Sequence, residues 1–348
     1  VACTSFSVWD GQSADSSLMI GRTFDFYMGD AFAENKIVCF VKPSQGHRFM
    51  MITWADLIGV VSGMNEKGLT VTLNASKSSI PVQSATPVTL LAREILQYAS
   101  TIDEAYEIAK KRKLFVSESI MIGSAIDHAT AIIEKSPDNL DLYRADSSRI
   151  VCSNHFQGQA FKNDAKNIEN IKGSDSYSRY QRVEELLDRY HGLNVSNVSE
   201  ILRDRLALRD SNAGMGNPLS INQLIAHHSV IFKPDSLIVW VSTAPWQLGK
   251  YVAYDLRKVF DIPVDQIRNH QEIYLKQRAI AADSFLKSFD YQQFLKYKKM
   301  TEELWRLKKS GKALPQGFES SYLQTNPELY LTYSHLGDYF TEMRDYAK

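Results

Sequence analysis

The chain has 348 residues, room for one large domain or two of ordinary size. Lys plus Arg and Asp plus Glu both total 40, so no basic excess points to a nucleic-acid partner, and no apolar run is long enough to span a bilayer. Cys3, Cys39 and Cys152 are an odd set without zinc-site spacing, and the eight histidines include His227-His228 but no metalloprotease pattern, so no metal or organic cofactor is expected.

Residues 1–75 read as short strands, TSFSVWD, SLMIGRTF, KIVCFVKP, FMMITWA, IGVVSGMN and LTVTLNA, joined by turn chemistry at Asp10-Gly11 and Asn65–Gly68. A helical block follows over 86–100 and 101–112, where Thr101 and Glu104 have the spacing of a capping box. Strands return in SESIMIGSAI, ATAIIEKS, LDLYRA and RIVCSNHF. Residues 176–209 then read as helical, and HHSVIFKPDSLIVWVS gives two strands around Pro234-Asp235. This alternation suits layered sheets better than a parallel βαβ series.

From about 263 the pattern is almost wholly helical and polar. LKQRAIAADSFLKSF and QQFLKYKKMTEELWRLKKS both place apolar residues at helical spacing. Leu336-Gly337, Tyr339 and Tyr346-Ala347 resemble part of one tetratricopeptide helix pair; the other reading is a plain helical appendage on the main domain. The expected organisation is a main domain over 1–262 and a helical extension over 263–348.

Chemistry concentrates around Cys3. As the third residue of VACTSF it allows three readings: a strand residue, a lipid attachment point, or a nucleophile uncovered by cleavage before it. A lipid anchor normally carries a polar tether, whereas Thr4 to Trp9 reads at once as strand. GRTFDF sets Arg22 and Asp25 three residues apart, which alone is a surface ion pair as readily as a site. Asn74 ends one apolar strand and Asn154 another, positions where asparagine is commonly a turn residue.

Taken together and in order, Cys3, G-R-T-F-D, M-N-E-K-G-L with Asn74, S-N-H-F, and S-R-Y-Q-R at 178–182 resemble the landmarks of the N-terminal nucleophile (Ntn) cysteine hydrolases. That group holds bile-salt hydrolases, penicillin V acylases, acid ceramidase-like amidases and acyl-CoA:6-aminopenicillanate acyltransferases. S-N-H-F and HHSVIFKPDSLIVWV lean towards the acyltransferase-like branch. The resemblance covers residues 3 to about 260 and implies an α+β fold, a four-layer αββα sandwich, with the helical extension outside it.

The resemblance implies a mechanism in which nucleophile and base share one residue. The free Cys thiol has a pKa of ~8.5, and a terminal α-amino group of ~8 can take its proton, so no catalytic histidine is required. Arg22 would favour the thiolate, Asp25 would hold the α-amino group, and Asn74 (through backbone or side chain) and Asn154 would stabilise the oxyanion. Arg179 would brace Asp25 and Asn154, with Arg182 its rival. His155 reads as structural, Cys152 as a buried thiol, Cys39 as strand core, and Trp54, Trp240 and Trp246 as packing, one of which could line an acyl pocket.

The expected activity is self-processing hydrolysis of linear amide C–N bonds, with a small-molecule N-acyl amide as the partner. The alternatives are N-acyl transfer with acyl-CoA as donor substrate, and a non-catalytic Ntn-like protein whose C-terminal helices bind a protein partner. Homo-oligomers are common in the superfamily, and an extracytoplasmic bacterial location is the working expectation. Val1 and Ala2 depart from the family pattern: a mature enzyme of this class begins at Cys3, so the chain is a precursor, or one that never cleaves, or one whose N-terminus differs from the sequence as written.

Overall fold

The computed structural model describes residues 2–78, 84–263 and 271–344. Its frame is a pair of antiparallel sheets. The first orders its strands β10 (Arg149–Cys152), β1 (Ala2–Asp10), β2 (Ser16–Asp25), β11 (His228–Lys233), β12 (Ile238–Ser242) and β13 (Tyr251–Asp255). The second is a meander in chain order: β3 (Ile37–Val41), β4 (Phe49–Thr53), β5 (Ser62–Asn65), β6 (Leu69–Ala75), β7 (Glu118–Ser124), β8 (Ala129–Lys135) and β9 (Leu140–Arg144).

Period-two alternation sorts the side chains into layers. Ile20, Met50, Ile52, Met64, Met121, Ile132, Val230, Phe232 and Val239 fill the space between the sheets. On the outer face of the first sheet, Phe6, Val8, Ile231 and Trp240 meet Val183, Leu187 and Val198 of α5 (Ser176–Asp188) and α6 (Val195–Leu202). On the outer face of the second, Val71, Leu73, Ile120 and Ile122 meet Leu91, Ile95 and Ala105 of α2 (Val88–Tyr98) and α3 (Ile102–Lys111). The result is the expected αββα sandwich.

Close approach sets one position: a Cβ on Gly21 of β2 would lie 2.8 Å from Val198 Cγ1, so α6 seats directly on that strand. Asn65 latches the β5–β6 hairpin to α2. Its Oδ1 accepts the N–H of Lys67 and Leu69, both at 3.0 Å, and its Nδ2 donates to Leu96 and Ala99 carbonyls at 2.9 and 2.8 Å. Thr101 caps α3 by accepting the Glu104 N–H at 3.2 Å, while Glu104 reaches back to the Ser100 N–H at 2.6 Å.

Residues 176–209 hold α5 and α6, between which the chain turns through Gly192 (φ +76°), where Leu193 exchanges backbone bonds with Gln12 and Ala14 of the β1–β2 turn. One later stretch and one strand differ from the sequence reading. Residues 275–288 run as a strap with short 3-10 turns; Leu275 N donates to Ala253 O at 2.7 Å, and Tyr251 and Ile280 exchange bonds at 3.0 Å. Backbone pairing with β13, a strand missed in the sequence, outweighs helical spacing there. Beyond it, α8 (Phe289–Lys309), α9 (Phe318–Thr325) and α10 (Tyr330–Glu342) pack Phe294, Leu304, Tyr322 and Leu336 onto Leu224, Trp246 and Leu248. Among the described residues no helix is long and apolar enough to cross a membrane.

Candidate active site

The site lies where β1 begins, between β10 and β2 in the first sheet. Odd residues of β1 face the second sheet, so Cys3 points inward and is 1% exposed. Arg22, on the neighbouring strand, brings Nη2 to 3.5 Å from Cys3 Sγ. The rest of its guanidinium is saturated: Nε on Thr23 O at 3.0 Å, Nη1 on Val61 O at 3.0 Å and on Ser62 Oγ, Nη2 on Leu73 O. Its plane lies over Phe24, 4.6 Å from the ring centroid. Arg22 therefore bridges the two sheets with its charge directed at the sulfur.

Asn154 follows the end of β10 and takes the Cys3 backbone N–H on Oδ1 at 2.8 Å. The same oxygen accepts Arg179 Nη2 at 2.6 Å, and Asn154 Nδ2 donates to Ala75 O at 2.8 Å. Arg179, on α5, also donates to Pro218 O at 2.9 Å. Its rival Arg182 lies in a separate cluster, bonded to Asp204 at 2.9 Å through two nitrogens, with Asp210 and Glu185.

Asp25 pairs in register with Ala2, next to Cys3, and is buried. Thr23 Oγ1 donates to its Oδ2 at 3.1 Å, while Oδ1 has no partner. The Cys3 N–H goes to Asn154 and not to Asp25. Asn74 sits at the end of β6 with its side chain turned into the layer between the sheets. It accepts the Ser5 hydroxyl at 2.9 Å and donates to Cys152 O at 3.0 Å. Of the two routes to an oxyanion read from the sequence, the side-chain one is thus directed away from the clefts described below.

Electrostatics follow from burial. Desolvation pushes the Cys3 thiol up, and the Arg22 charge opposes it. Burial raises the Asp25 carboxyl to about 7 against the pull of Arg179, its Thr23 hydrogen bond and Arg22. His155 is driven down to about 4 by burial and by Arg179; its Nδ1 meets Ser176 Oγ at 2.7 Å. The His227 and His228 Nδ1 atoms lie 2.8 Å apart, and among the described residues no group of three or more His, Cys, Asp or Glu is placed to hold a metal.

Several residues of this centre were not singled out in the sequence. Ser176 Oγ receives the Asn154 N–H at 2.7 Å, and Asn170 Nδ2 donates to Asn154 O at 2.6 Å, so both ends of the Asn154 backbone are held from α4 (Ala165–Gly173) and α5. Ser62 joins Arg22 to His228 Nε2, at 2.8 Å from the latter. Ser176 stands one helical turn before Arg179, which is a usable signal; isolated Ser and Asn in loops and strands give none.

A cleft of about 500 Å³ approaches the Ala2–Cys3 junction, walled by Ala2, Ala75, Asn154, Arg179 and Gln223. A second cavity of about 620 Å³ adjoins it, sharing Ala75, Ser76, Lys77, Asn170 and Ser174. Both are of the size that holds a small molecule.

A buried cysteine, two arginines, an aspartate and an asparagine thus converge where β1 begins. The sequence profile of the acyl-coenzyme A:6-aminopenicillanic acid acyl-transferase family matches residues 10–222, well over half of the chain. The chain belongs to that family, a branch of the Ntn cysteine hydrolases. The matched stretch contains Arg22, Asp25, Asn74, Asn154 and Arg179 and begins after Cys3.

A curated relative, an uncharacterized protein of Archaeoglobus fulgidus, is 27% identical over 142 residues, 40% of this chain; the match spans 24% of that relative's length. Among solved structures, the Caenorhabditis elegans ortholog of N-acylethanolamine-hydrolyzing acid amidase is 16% identical with a TM-score of 0.48, covering 67% of this chain and 93% of its own. A mutant of the conjugated bile acid hydrolase from Clostridium perfringens is 14% identical (TM-score 0.48; 74% and 93%). Penicillin V acylase from Agrobacterium tumefaciens is 15% identical (TM-score 0.45; 73% and 86%).

Proposed function

We propose that the chain is a self-processing cysteine amidase that cleaves the C–N bond of linear N-acyl amides through a thioester on Cys3. The observation that carries this reading is the double hold on one residue: the Cys3 N–H on Asn154 Oδ1 at 2.8 Å, and the Arg22 guanidinium 3.5 Å from its sulfur. Processing comes first. Cys3 Sγ attacks the Ala2 carbonyl, the acyl group shifts from nitrogen to sulfur, and water releases Val1-Ala2 and frees the Cys3 amine.

In the processed enzyme the α-amino group accepts the thiol proton and the thiolate attacks the substrate carbonyl. The tetrahedral intermediate collapses as the amine departs with that proton, and water resolves the thioester to the acid. In this reading Asn154, one of whose amide hydrogens goes to Ala75 O, and the backbone beside Asn74 donate to the oxyanion. The unpartnered Oδ1 of Asp25 suits an ammonium group, which a freed Cys3 terminus would supply.

The match to an acyltransferase family favours a second outcome for the same thioester, attack by an amine in place of water. The test expresses the gene with its natural upstream codons and reads the intact mass and N-terminal sequence. Processed protein is then assayed on decanoyl, phenylacetyl and phenoxyacetyl amides, with and without an added amine acceptor. A product beginning at Cys3 with activity lost in Cys3→Ala supports the reading. Retention of Val1-Ala2 by folded protein, or activity surviving Cys3→Ala, removes it. Acylated acceptor in place of free acid selects transfer over hydrolysis.

A further inference from the structure

Glu118 opens β7 and pairs in register with Ala75, whose carbonyl receives Asn154. It lines the 620 Å³ cavity, and its Oε2 is buried with no hydrogen-bond partner. Unpartnered buried polar atoms are few in folded proteins, and each calls for a cause. Residues that carry four of them line the two joined cavities: Ser117 and Glu118 in one, Arg179 and Gln223 in the other. Side chains with hydrogen-bonding capacity to spare, gathered around a space that opens beside Ala2, suit a ligand with a polar group.

The two sides of Cys3 differ in chemistry. Phe24, Phe26 and Trp54 stack with centroids 5.9 and 6.2 Å apart, and none of them lines either cavity. That wall suits the apolar acyl half of an amide, which leaves for the other half the cavity where Ser117, Glu118, Lys166 and Glu169 stand beside Phe115 and Val116. We infer that Glu118 contacts the substrate, its carboxyl reaching from the wall of the 620 Å³ cavity to a hydrogen-bonding group on the amine half of the molecule. The inference rests on the amidase reading of Cys3.

The state of the carboxyl fits this role. Burial raises it to about 8, against the opposing Arg22 charge, so near neutrality it is the acid form, a donor without an acceptor. Arg22 and Cys3 face it from the first sheet, Lys77 from the turn after β6, Lys135 from β8, and Lys166 and Glu169 from α4. Ionisation above that pH would remove the donor and place a negative charge near the thiol, since Glu118 is among the groups that raise the Cys3 thiol.

The experiment compares N-decanoylglycinamide, whose amine half carries a carboxamide, with N-decanoylpropylamine, whose amine half carries no hydrogen-bonding group. Both are assayed with processed wild type, Glu118→Ala and the isosteric Glu118→Gln. Glu118→Ala is expected to raise KM for the glycinamide about tenfold, the effect of one lost hydrogen bond, with kcat and the propylamine KM within twofold. Glu118→Gln, which keeps a donor and cannot ionise, should hold the glycinamide KM within about threefold and abolish its rise above pH ~8. Equal effects on both amides, or a KM rise that persists in Glu118→Gln, overturns the contact and leaves the amidase intact. Processed wild type that turns over neither these two amides nor the wider panel instead overturns the amidase reading, and this inference with it.

Discussion

Asn154 holds Cys3 by its backbone nitrogen, Oδ1 to N–H at 2.8 Å, across 151 positions of chain. Cys3 is thereby fixed by a residue just beyond the end of β10, and the fold has to close before the bond can form. Asn154→Ala removes this acceptor and strips a bond from buried Arg179, so a stability loss of about 1–3 kcal/mol is expected. Activity should fall ~10²–10³-fold, and processing should slow in parallel. Unfolding by urea, with the fraction beginning at Cys3 by mass, separates the two effects. Normal processing would show that the bond is dispensable.

The two neighbouring arginines of α5 should part company on mutation. Arg179→Met disconnects Asn154 and is expected to cut activity at least a hundredfold, an effect out of proportion to its effect on folding. Arg182→Met takes the cation from Asp204, while Asp210 and Glu185 keep Arg189, and should cost roughly 1–3 kcal/mol, with residual folded protein keeping normal kcat. Paired melting curves and steady-state kinetics decide; a catalytic loss confined to Arg182→Met would reassign the role.

Arg22 opposes the effect of burial on the Cys3 thiol. Replacing it with Met should raise that thiol further and slow alkylation by iodoacetamide about tenfold or more at pH 8, one unit of pKa being a tenfold change in thiolate. The same change removes the side-chain donor from the Leu73 carbonyl and one of two donors from the Val61 carbonyl, which keeps the Leu73 N–H at 3.1 Å, and should destabilise the fold by about 1–3 kcal/mol. Alkylation at the wild-type rate in a folded variant would leave Arg22 a purely structural tie.

Asp25 sets a pH dependence whose sign is the reverse of the common carboxylate case. Burial holds its carboxyl at about 7 in the fold against the ordinary 3.8, so between those values the native state keeps a proton that the unfolded chain releases. Stability from this group is present below pH ~4 and declines as pH rises to ~7. Asp25→Asn cannot lose that contribution and should exceed wild type by roughly 2–4 kcal/mol at pH 7.5, with the difference shrinking towards pH 4. It should also be inactive. Melting temperatures of both proteins at pH 4, 6 and 7.5 test it; a constant difference would mean that Asp25 does not titrate in this range.

The layers were legible in the sequence because alternation in β2, β7, β8 and β11 is strong and the intervening turns carry Asp-Gly, Asn and Pro-Asp signals. Arg22, Asp25, Asn74 and Asn154 were singled out by another route, their order along the chain resembling that of the Ntn cysteine hydrolases, since an arginine in a strand or an asparagine near a strand end says little alone. What escaped was whatever depends on a partner far along the chain. Nothing local in Asn74 says that it turns towards Ser5 and Cys152, or that Ser62 links Arg22 to His228. Residues 275–288 have helical spacing, yet pairing with β13 settles their conformation, and β13 itself is too short to announce itself. Glu118 read as one residue near the start of the strand SESIMIGSAI; only the surrounding cavity makes it conspicuous.

The strap over β13 bears on how this protein can be handled. Ala253 and Tyr251 give their outer hydrogen bonds to Leu275 and Ile280, so the rim of the first sheet is closed from within the same chain. Cutting after residue 262 to isolate a minimal enzyme would keep Cys3, Arg22, Asp25, Asn74, Asn154 and Arg179 yet leave an open strand edge, a template for another molecule's backbone. It would also bare Leu224, Trp246 and Leu248, now covered by α8 to α10. Such a truncate should precipitate, for a reason unrelated to its chemistry.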